Sequence, residues 1–382
     1  MNAFKTALLL SFVSMASASA AIITPAFPMI QKAWGLSNNQ LSAMVSIFLL
    51  GYLLGQWIYG PLANRFGRIQ ALKIGFILNV IGLICSYLSA EFNIYSLFLA
   101  SRLLTALGAS AGLVCTFVLL NEYFEPAKSK MLFPFIVLSF TLGIGLSTFL
   151  GGLLSQYFSW PVVFIPLLIQ GLLSIAVLRI FPETLRQAQP ISISHVLSGY
   201  GSALRSKKLI SYAFWVGYVS CFSYGYSTIA PQVTQSWFGL NAGAYGTFSL
   251  INMVGMFLGS FIATWLLKHF KSKNIIIFSG IGMMLILLCM SWLHACHHLS
   301  VLGFFILAGC LYLISSFIFP AASHVASNAI PNKANASGAM NGINLGLAVL
   351  SLTLMGLLPA SLFMGFLLIL LILGAIGLLL LL

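Results

Sequence analysis

Acid is the scarcest commodity in this chain of 382 residues: four Asp and Glu together stand against seventeen Lys and Arg, and charged residues make up only 5%. The four are Glu91, Glu122, Glu125 and Glu183, and all fall in or beside the breaks between apolar runs. No soluble domain keeps so little charge while 60% of its residues are hydrophobic, so the composition excludes a water-soluble globular fold and implies a polytopic membrane protein in a lipid bilayer. The net charge of +13 does not point to nucleic acid, because the cations are scattered over short breaks instead of forming one patch. The cysteines, Cys85, Cys115, Cys221, Cys289, Cys296 and Cys310, include no CxxC pair, which excludes a disulfide framework and leaves them as small core residues. A phosphate-binding glycine loop, a nucleophile elbow and a zincin pattern are also missing. ATP-driven work and hydrolysis therefore have no residues to carry them, and neither an enzyme nor a cofactor is expected.

What is present is a series of apolar runs, each near the ~20 residues that cross a bilayer as a helix. Twelve spans are predicted, at about 6–29, 40–60, 71–90, 94–119, 131–155, 161–181, 209–230, 242–267, 274–293, 300–325, 337–357 and 360–381. The first mimics a signal peptide, with Lys5, an apolar core and then Ala16-Ser17-Ala18-Ser19-Ala20. Keeping it gives six spans on either side of the longest break, and removing it leaves eleven; the expectation is that it stays as the first span. The predicted organisation is an N-terminal bundle 1–187, a central loop 188–208 and a C-terminal bundle 209–382. Fifteen of the seventeen cations fall in alternate breaks; Lys32 lies opposite and Arg102 falls inside a span. The excess of positive charge makes those breaks, and both termini, cytoplasmic.

Gly60-Pro61-Leu62-Ala63-Asn64-Arg65-Phe66-Gly67-Arg68 separates the second span from the third. Pro61 and Gly67 break helices, and Arg65 and Arg68 belong at a membrane face, so the stretch is predicted to be a turn. Glycines recur at four-residue spacing, as in Gly51 and Gly55, which puts small residues on one helix face and lets backbones approach. The turn after the second span, Leu62-Ala63-Asn64-Arg65-Phe66, is echoed after the eighth by Leu267-Lys268-His269-Phe270-Lys271. Two parallel six-helix bundles around a midplane site fit this pattern.

The Gly60–Arg68 stretch resembles the loop between the second and third helices of the major facilitator superfamily, with Asn64 where that motif carries an acid. Pro25-Ala26-Phe27-Pro28, Phe48 to Gln56, Arg102 to Ala109 and Pro182-Glu183-Thr184-Leu185 are similar to its bicyclomycin-resistance (Bcr/CflA) drug-efflux branch. The resemblance covers nearly the whole chain. It implies an all-α major facilitator fold of twelve transmembrane helices in two halves. It also implies secondary transport by alternating access, export of drug-like or toxic small molecules across a bacterial inner membrane, and proton antiport by a monomer. Three positions depart from the branch: Ala21 replaces an acid at the end of the first span, Ser147-Thr148 replace Gly-Pro in the fifth, and Asn64 replaces the loop acid. Each removes a group on which proton coupling would rest. Export of one endogenous anionic metabolite, such as a carboxylate siderophore, shares this fold; a non-transporting receptor or scaffold is a rival of another class.

Candidate site residues follow from chemistry in the apolar runs. Arg102 is a full charge inside a span, where insertion costs about 2.5–3.5 kcal/mol, and such a charge either serves function or is satisfied by carbonyls and amides such as Gln56 or Asn79. Tyr218, Phe222 and Tyr226 share one face of the seventh span with Trp215 a turn earlier, and face lipid or line a cavity. Asn252, in the eighth, is a candidate through the resemblance to the bicyclomycin-resistance branch, which it fits together with Phe248. Gly60, Asn64, Arg65, Gly67 and Arg68 are expected to gate. Asn64 is expected to cap a helix N-terminus without charge, and Glu122 to latch the adjacent loop with Lys128 and Lys130. His294, Cys296, His297 and His298 have metal-binding chemistry but sit in a short loop that rarely holds ligand geometry, so no metal is expected. His324 is either the other candidate titrating group or a satisfied packing histidine.

Overall fold

The computed structural model describes residues 3–185, 187–188, 203–358 and 361–381, leaving out the side chains at 126, 127, 129–131, 133, 134 and 334. Among the described residues there is no strand. The first half of the chain forms α1 (Ala3–Ala21), α2 (Phe27–Trp34), α3 (Asn38–Phe66), α4 (Arg68–Glu91), α5 (Tyr95–Tyr123), α6 (Pro126–Tyr157) and α7 (Phe164–Val177). The second half forms α8 (Lys207–Phe238), α9 (Ala242–Phe248), α10 (Leu250–His269), α11 (Ser272–Ala295), α12 (Val301–Ser327), α13 (Lys333–Leu357) and α14 (Leu362–Leu381). Among the described residues, eleven spans are long and apolar enough to cross a membrane. The helix left over is α8, whose 32 residues have the length but carry many Tyr, Ser, Thr and Gly.

Two boundaries differ from expectation. Pro61 lies inside α3, and the helix runs on to Phe66, so the nine-residue turn contracts to Gly67 alone. Pro25 and Pro28 do not close the first span: a 3-10 turn at Thr24–Ala26 passes into α2, and the span continues to Trp34. Proline removes one N–H but cannot stop a helix where no water competes for the freed carbonyl and neighbours satisfy it. The predicted loop 188–208 lies largely outside the described residues.

The contacts divide the chain into two units, Met1–Gly35 with Ile47–Ser192 and Leu36–Ser46 with Ile193–Leu382. In the first, α1 packs on α5 and α6, and α4 on α5 and α7. In the second, α8 packs on α12 and α13, and α11 on α12 and α14, so the same pairings recur in the same order. The closest approaches recur too. A Cβ on Gly51 would overlap the Leu103 carbonyl of α5, and one on Gly55 would lie 2.8 Å from the Leu107 carbonyl. In the second unit Gly255 meets the Gly309 carbonyl of α12, and Gly259 comes within 2.5 Å of the Leu313 carbonyl. Backbone contact of this kind lets dispersion and weak polar contacts hold helices together where lipid supplies no hydrophobic drive.

Buried polar side chains follow the same logic. Asn79 Nδ2 donates to the Thr105 carbonyl at 2.9 Å, and Ser86 and Ser101 share a bond of 2.8 Å between α4 and α5. Outward faces are apolar, as along α4 at Ile77, Ile81, Ile84 and Leu88. Substituting Gly51 or Gly255 by Val is expected to destabilise the protein by about 1–3 kcal/mol through overpacking. Gly346→Ala, where an added Cβ meets nothing within 4 Å, serves as the control. Thermal melting of the detergent-purified protein checks this; equal melting of all three variants would contradict the packing assigned to α3 and α10.

Candidate functional site

The first candidate site lies where α3 ends and α4 begins. Gly67 has φ +105° and ψ 155°, a region that is essentially glycine's own, and it reverses the chain in one residue. The reversal leaves the first N–H groups of α4 without helical partners. Glu183, which follows the sixth span, supplies them: its carboxylate accepts from the N–H of Arg68 at 2.9 Å and of Ile69 at 3.0 Å. It also accepts from the N–H groups of Thr184 and Leu185 at 2.9 and 3.0 Å. A Cβ on Gly67 would overlap this carboxylate, so the glycine serves both the backbone angle and the space. Desolvation pushes the Glu183 carboxyl up, but the four N–H donors outweigh it and hold the group below its ordinary range.

Arg68 closes the other side. Its Nη2 pairs with Glu122 of α5 at 2.8 Å, its Nε donates to both Glu122 oxygens at 3.1 and 3.2 Å, and its Nη1 donates to the Ala63 carbonyl at 3.0 Å. This is the one ion pair among the described residues. Thr184 Oγ1 donates to Glu122, and Tyr123 Oη to the Pro182 carbonyl, completing a network over α3, α4, α5 and the segment after α7. The expected latch of Glu122 to Lys128 is not what forms: Lys128 lies over the Phe124 ring, and the Lys130 side chain is outside the described residues. Nor does Asn64 cap. It is exposed without a side-chain bond among the described residues, as is Arg65, because α3 continues past Pro61 and points both outward. Gly60 lies within α3 with open space beside it. Glu183 was legible only as part of the Pro182–Leu185 motif, since its partners are 114 and 115 residues away.

Arg102 is 2% exposed, about 10 Å along α5 from its start. Nη1 donates to the Ser19 carbonyl of α1 at 2.9 Å, and the guanidinium lies 4.3 Å from the Phe48 ring centroid of α3. Its Nε is buried without a partner. The expected amides are elsewhere: Asn79 bonds Thr105, and Gln56 is half-buried on α3. Glu91 is exposed at the end of α4 and makes no ion pair among the described residues.

The second unit carries a separate buried polar and aromatic cluster. Trp215, Tyr218, Phe222 and Tyr226 are at most 3% exposed, so they do not face lipid. Trp215 Nε1 donates to the Gly377 carbonyl at 3.0 Å, and Tyr226 Oη accepts from Asn252 Nδ2 at 3.2 Å. Asn252 Oδ1 and Tyr218 Oη are buried without partners among the described residues. His294 stacks on Trp237 with ring centroids 3.5 Å apart, while His324 is exposed at the end of α12.

Gly67→Ala forces an L side chain into that backbone region and is expected to cost about 1–3 kcal/mol. Arg68→Gln is expected to lower the melting temperature more than Arg65→Gln. A depressed carboxyl stabilises the fold above its ordinary pKa, which is 4.5 here, and that contribution is lost as pH falls through the depressed value. Melting curves between about pH 3 and pH 7 should therefore fall more steeply on the acid side for the parental protein than for Glu183→Gln. Parallel curves would remove Glu183 from the role assigned to it.

A sequence profile of the Major Facilitator Superfamily matches residues 7–349. The chain is 28% identical over 243 residues to YdgK of Bacillus subtilis (strain 168), an uncharacterized MFS-type transporter, across 62% of this chain and 60% of that protein. It is 25% identical over 241 residues to a bicyclomycin resistance protein homolog of Haemophilus influenzae, again across 62% of this chain and 60% of that protein. The alignments thus span 60% of the length of each of these relatives. The crystal structure of a D-xylose-proton symporter superposes with a TM-score of 0.79 over 98% of this chain and 95% of that one, at 18% identity, a likeness of fold. With eleven helices among the described residues long and apolar enough to cross a membrane, the recurring helix pairings and a profile match running over most of its length, the chain belongs to the Major Facilitator Superfamily.

Proposed function

We propose that this protein is a secondary transporter that exports small molecules across a bacterial inner membrane by alternating access, acting as a monomer with both termini in the cytoplasm. The substrate is neutral or anionic at the end that meets Arg102. The observation that carries this reading is a buried guanidinium with an Nε unpartnered and no carboxylate opposite it among the described residues. A cation held this way is attractive to a carboxylate, which a guanidinium pairs bidentately, and repels a second cation in a dehydrated site. Tyr218, Phe222, Tyr226 and Asn252 form a separate candidate cluster within the second unit, with unfilled hydrogen-bonding groups at Tyr218 Oη and Asn252 Oδ1. Gly60, Asn64, Arg65, Gly67, Arg68 and Glu122 surround the turn whose network ties one end of the first unit together, and that network opens and closes with gating.

The same observation favours a single endogenous weak acid over an assortment of lipophilic cations, since Glu91 and Glu122 fall in the last two residues of their spans and Glu125 and Glu183 outside any span. Proton coupling draws support from the bicyclomycin-type resemblance alone; Ala21 and Thr148 carry no titrating group. Uptake into inverted vesicles of matched anionic, neutral and cationic compounds tests the proposal. Anions or neutral compounds should be preferred, and Arg102→Gln should reduce anion uptake by roughly tenfold or more, the loss of one charge-assisted bond. Preference for lipophilic cations, or undiminished anion uptake by Arg102→Gln, would sink it.

A further inference from the structure

All four acids belong to the first unit, so the second, Leu36–Ser46 with Ile193–Leu382, contains no Asp or Glu. Its cations are Arg205, Lys207, Lys208, Lys268, Lys271, Lys273 and Lys333. They sit at the start of α8, the junction of α10 and α11 and the start of α13, which alternating helix directions bring to one end of the unit. Three of them, Lys268, Lys271 and Lys273, fall within six residues and are exposed.

An aromatic stripe leads to these three. Phe257, Phe261 and Trp265 recur every four residues on α10 and are 40%, 64% and 55% exposed. Phe257 and Phe261 rings meet edge to face at 4.9 Å. At its end Trp265 is flanked by His269 at 4.7 Å and Phe270 at 6.0 Å, while His269 Nδ1 lies 2.8 Å from the Trp265 carbonyl. The ring is thus held in place at the level where the lysines begin. Eight residues of helix give this stripe a length of about 12 Å, enough to lie along much of one acyl chain.

We propose that the α10–α11 junction is a docking site for an anionic phospholipid, whose acyl chain lies along Phe257, Phe261 and Trp265 and whose phosphate meets Lys268, Lys271 and Lys273. Charge complementarity selects this occupant. With no Asp or Glu in its own unit, the cluster takes its counter-ion from outside, and the apolar stripe below it requires that ion to carry a chain. Trp is suited to the boundary between the two. A zwitterionic lipid brings its own ammonium to the lysines and is disfavoured. Each lysine at an anionic surface contributes roughly fivefold in affinity, so even partial engagement of three gives at least about a tenfold preference.

Native mass spectrometry of the full-length protein, equilibrated with equal amounts of dioleoyl-phosphatidylglycerol and dioleoyl-phosphatidylcholine, reads this preference directly. The parental protein should retain phosphatidylglycerol at least about tenfold over phosphatidylcholine. The triple variant Lys268→Gln, Lys271→Gln, Lys273→Gln should lose most of that preference, and Trp265→Ala should retain less of either lipid. A second triple variant, Lys207→Gln, Lys208→Gln, Lys333→Gln, removes the same charge from the same end and should keep the preference. Equal retention of the two lipids by the parental protein overturns the proposal, and this outcome needs no variant. It is also overturned if both triple variants lose the preference equally, which marks diffuse attraction. Inorganic phosphate displacing the lipid at equal concentration marks a simple anion site, and a monomer mass appearing only in the first triple variant marks a second copy; either result overturns it too.

Discussion

Four backbone N–H groups converge on the Glu183 carboxylate, and the geometry at that end of the first unit follows from it. A helix start exposes N–H groups that water would satisfy in a soluble protein. Here α4 starts one residue after α3 stops, leaving no room for an ordinary cap. A carboxylate delivered from elsewhere in the chain meets the need and also matches the positive end of the helix dipole. Arg68 answers the complementary need: it bonds a carbonyl at the end of α3 while pairing with Glu122. Two of only four acids are thus concentrated on one turn, and Gly67 is required because the carboxylate occupies the place of a side chain.

Arg102 is the opposite case, a charge buried where no acid is within reach. The Ser19 carbonyl and the face of Phe48 each recover part of its lost hydration. Arginine tolerates this better than lysine because its charge is delocalised and weakly hydrated. The Nε remains unserved. A group of this kind is expensive in a purely structural role, and the scarcity of acid makes it informative: the chain had carboxylates for its turn and none for its core.

The positions of the spans were legible because apolar runs of membrane length are hard to mistake, and most boundaries fall within a few residues of expectation. The errors cluster at prolines. Pro61 read as the end of a helix and proved to lie inside one, since breaking rules learned in water weaken where lipid offers no competing hydrogen bonds. Pro25 and Pro28, by contrast, stand in the first positions of the 3-10 turn and of α2, where proline is tolerated. In the candidate sites, Gly67 and Arg68 were legible from the local motif. Their partners were not: Glu122 and Glu183 are distant in sequence, and which carboxylate meets which cation is decided by helix packing. The aromatic face of α8 was legible as a face, but its burial was not, because four-residue spacing is the same whether the stripe meets lipid or protein.

The two units repeat one another in helix pairing and in their glycine contacts, yet their matching turns use different chemistry. After α3, the start of α4 is bound by an internal carboxylate. After α10, the chain turns through Phe270 and Lys271, and the first residues of α11 receive no side-chain cap. The first turn is closed on itself: its cation and its N–H groups find acids within the unit. The second has cations and no acid, so its charge is directed outward by composition alone. A repeated scaffold with its acids confined to one copy therefore has one turn held by bonds inside its own unit, and another whose charge is balanced only by what surrounds that unit. That asymmetry resides in the placement of four side chains and leaves the shared arrangement of helices unaltered.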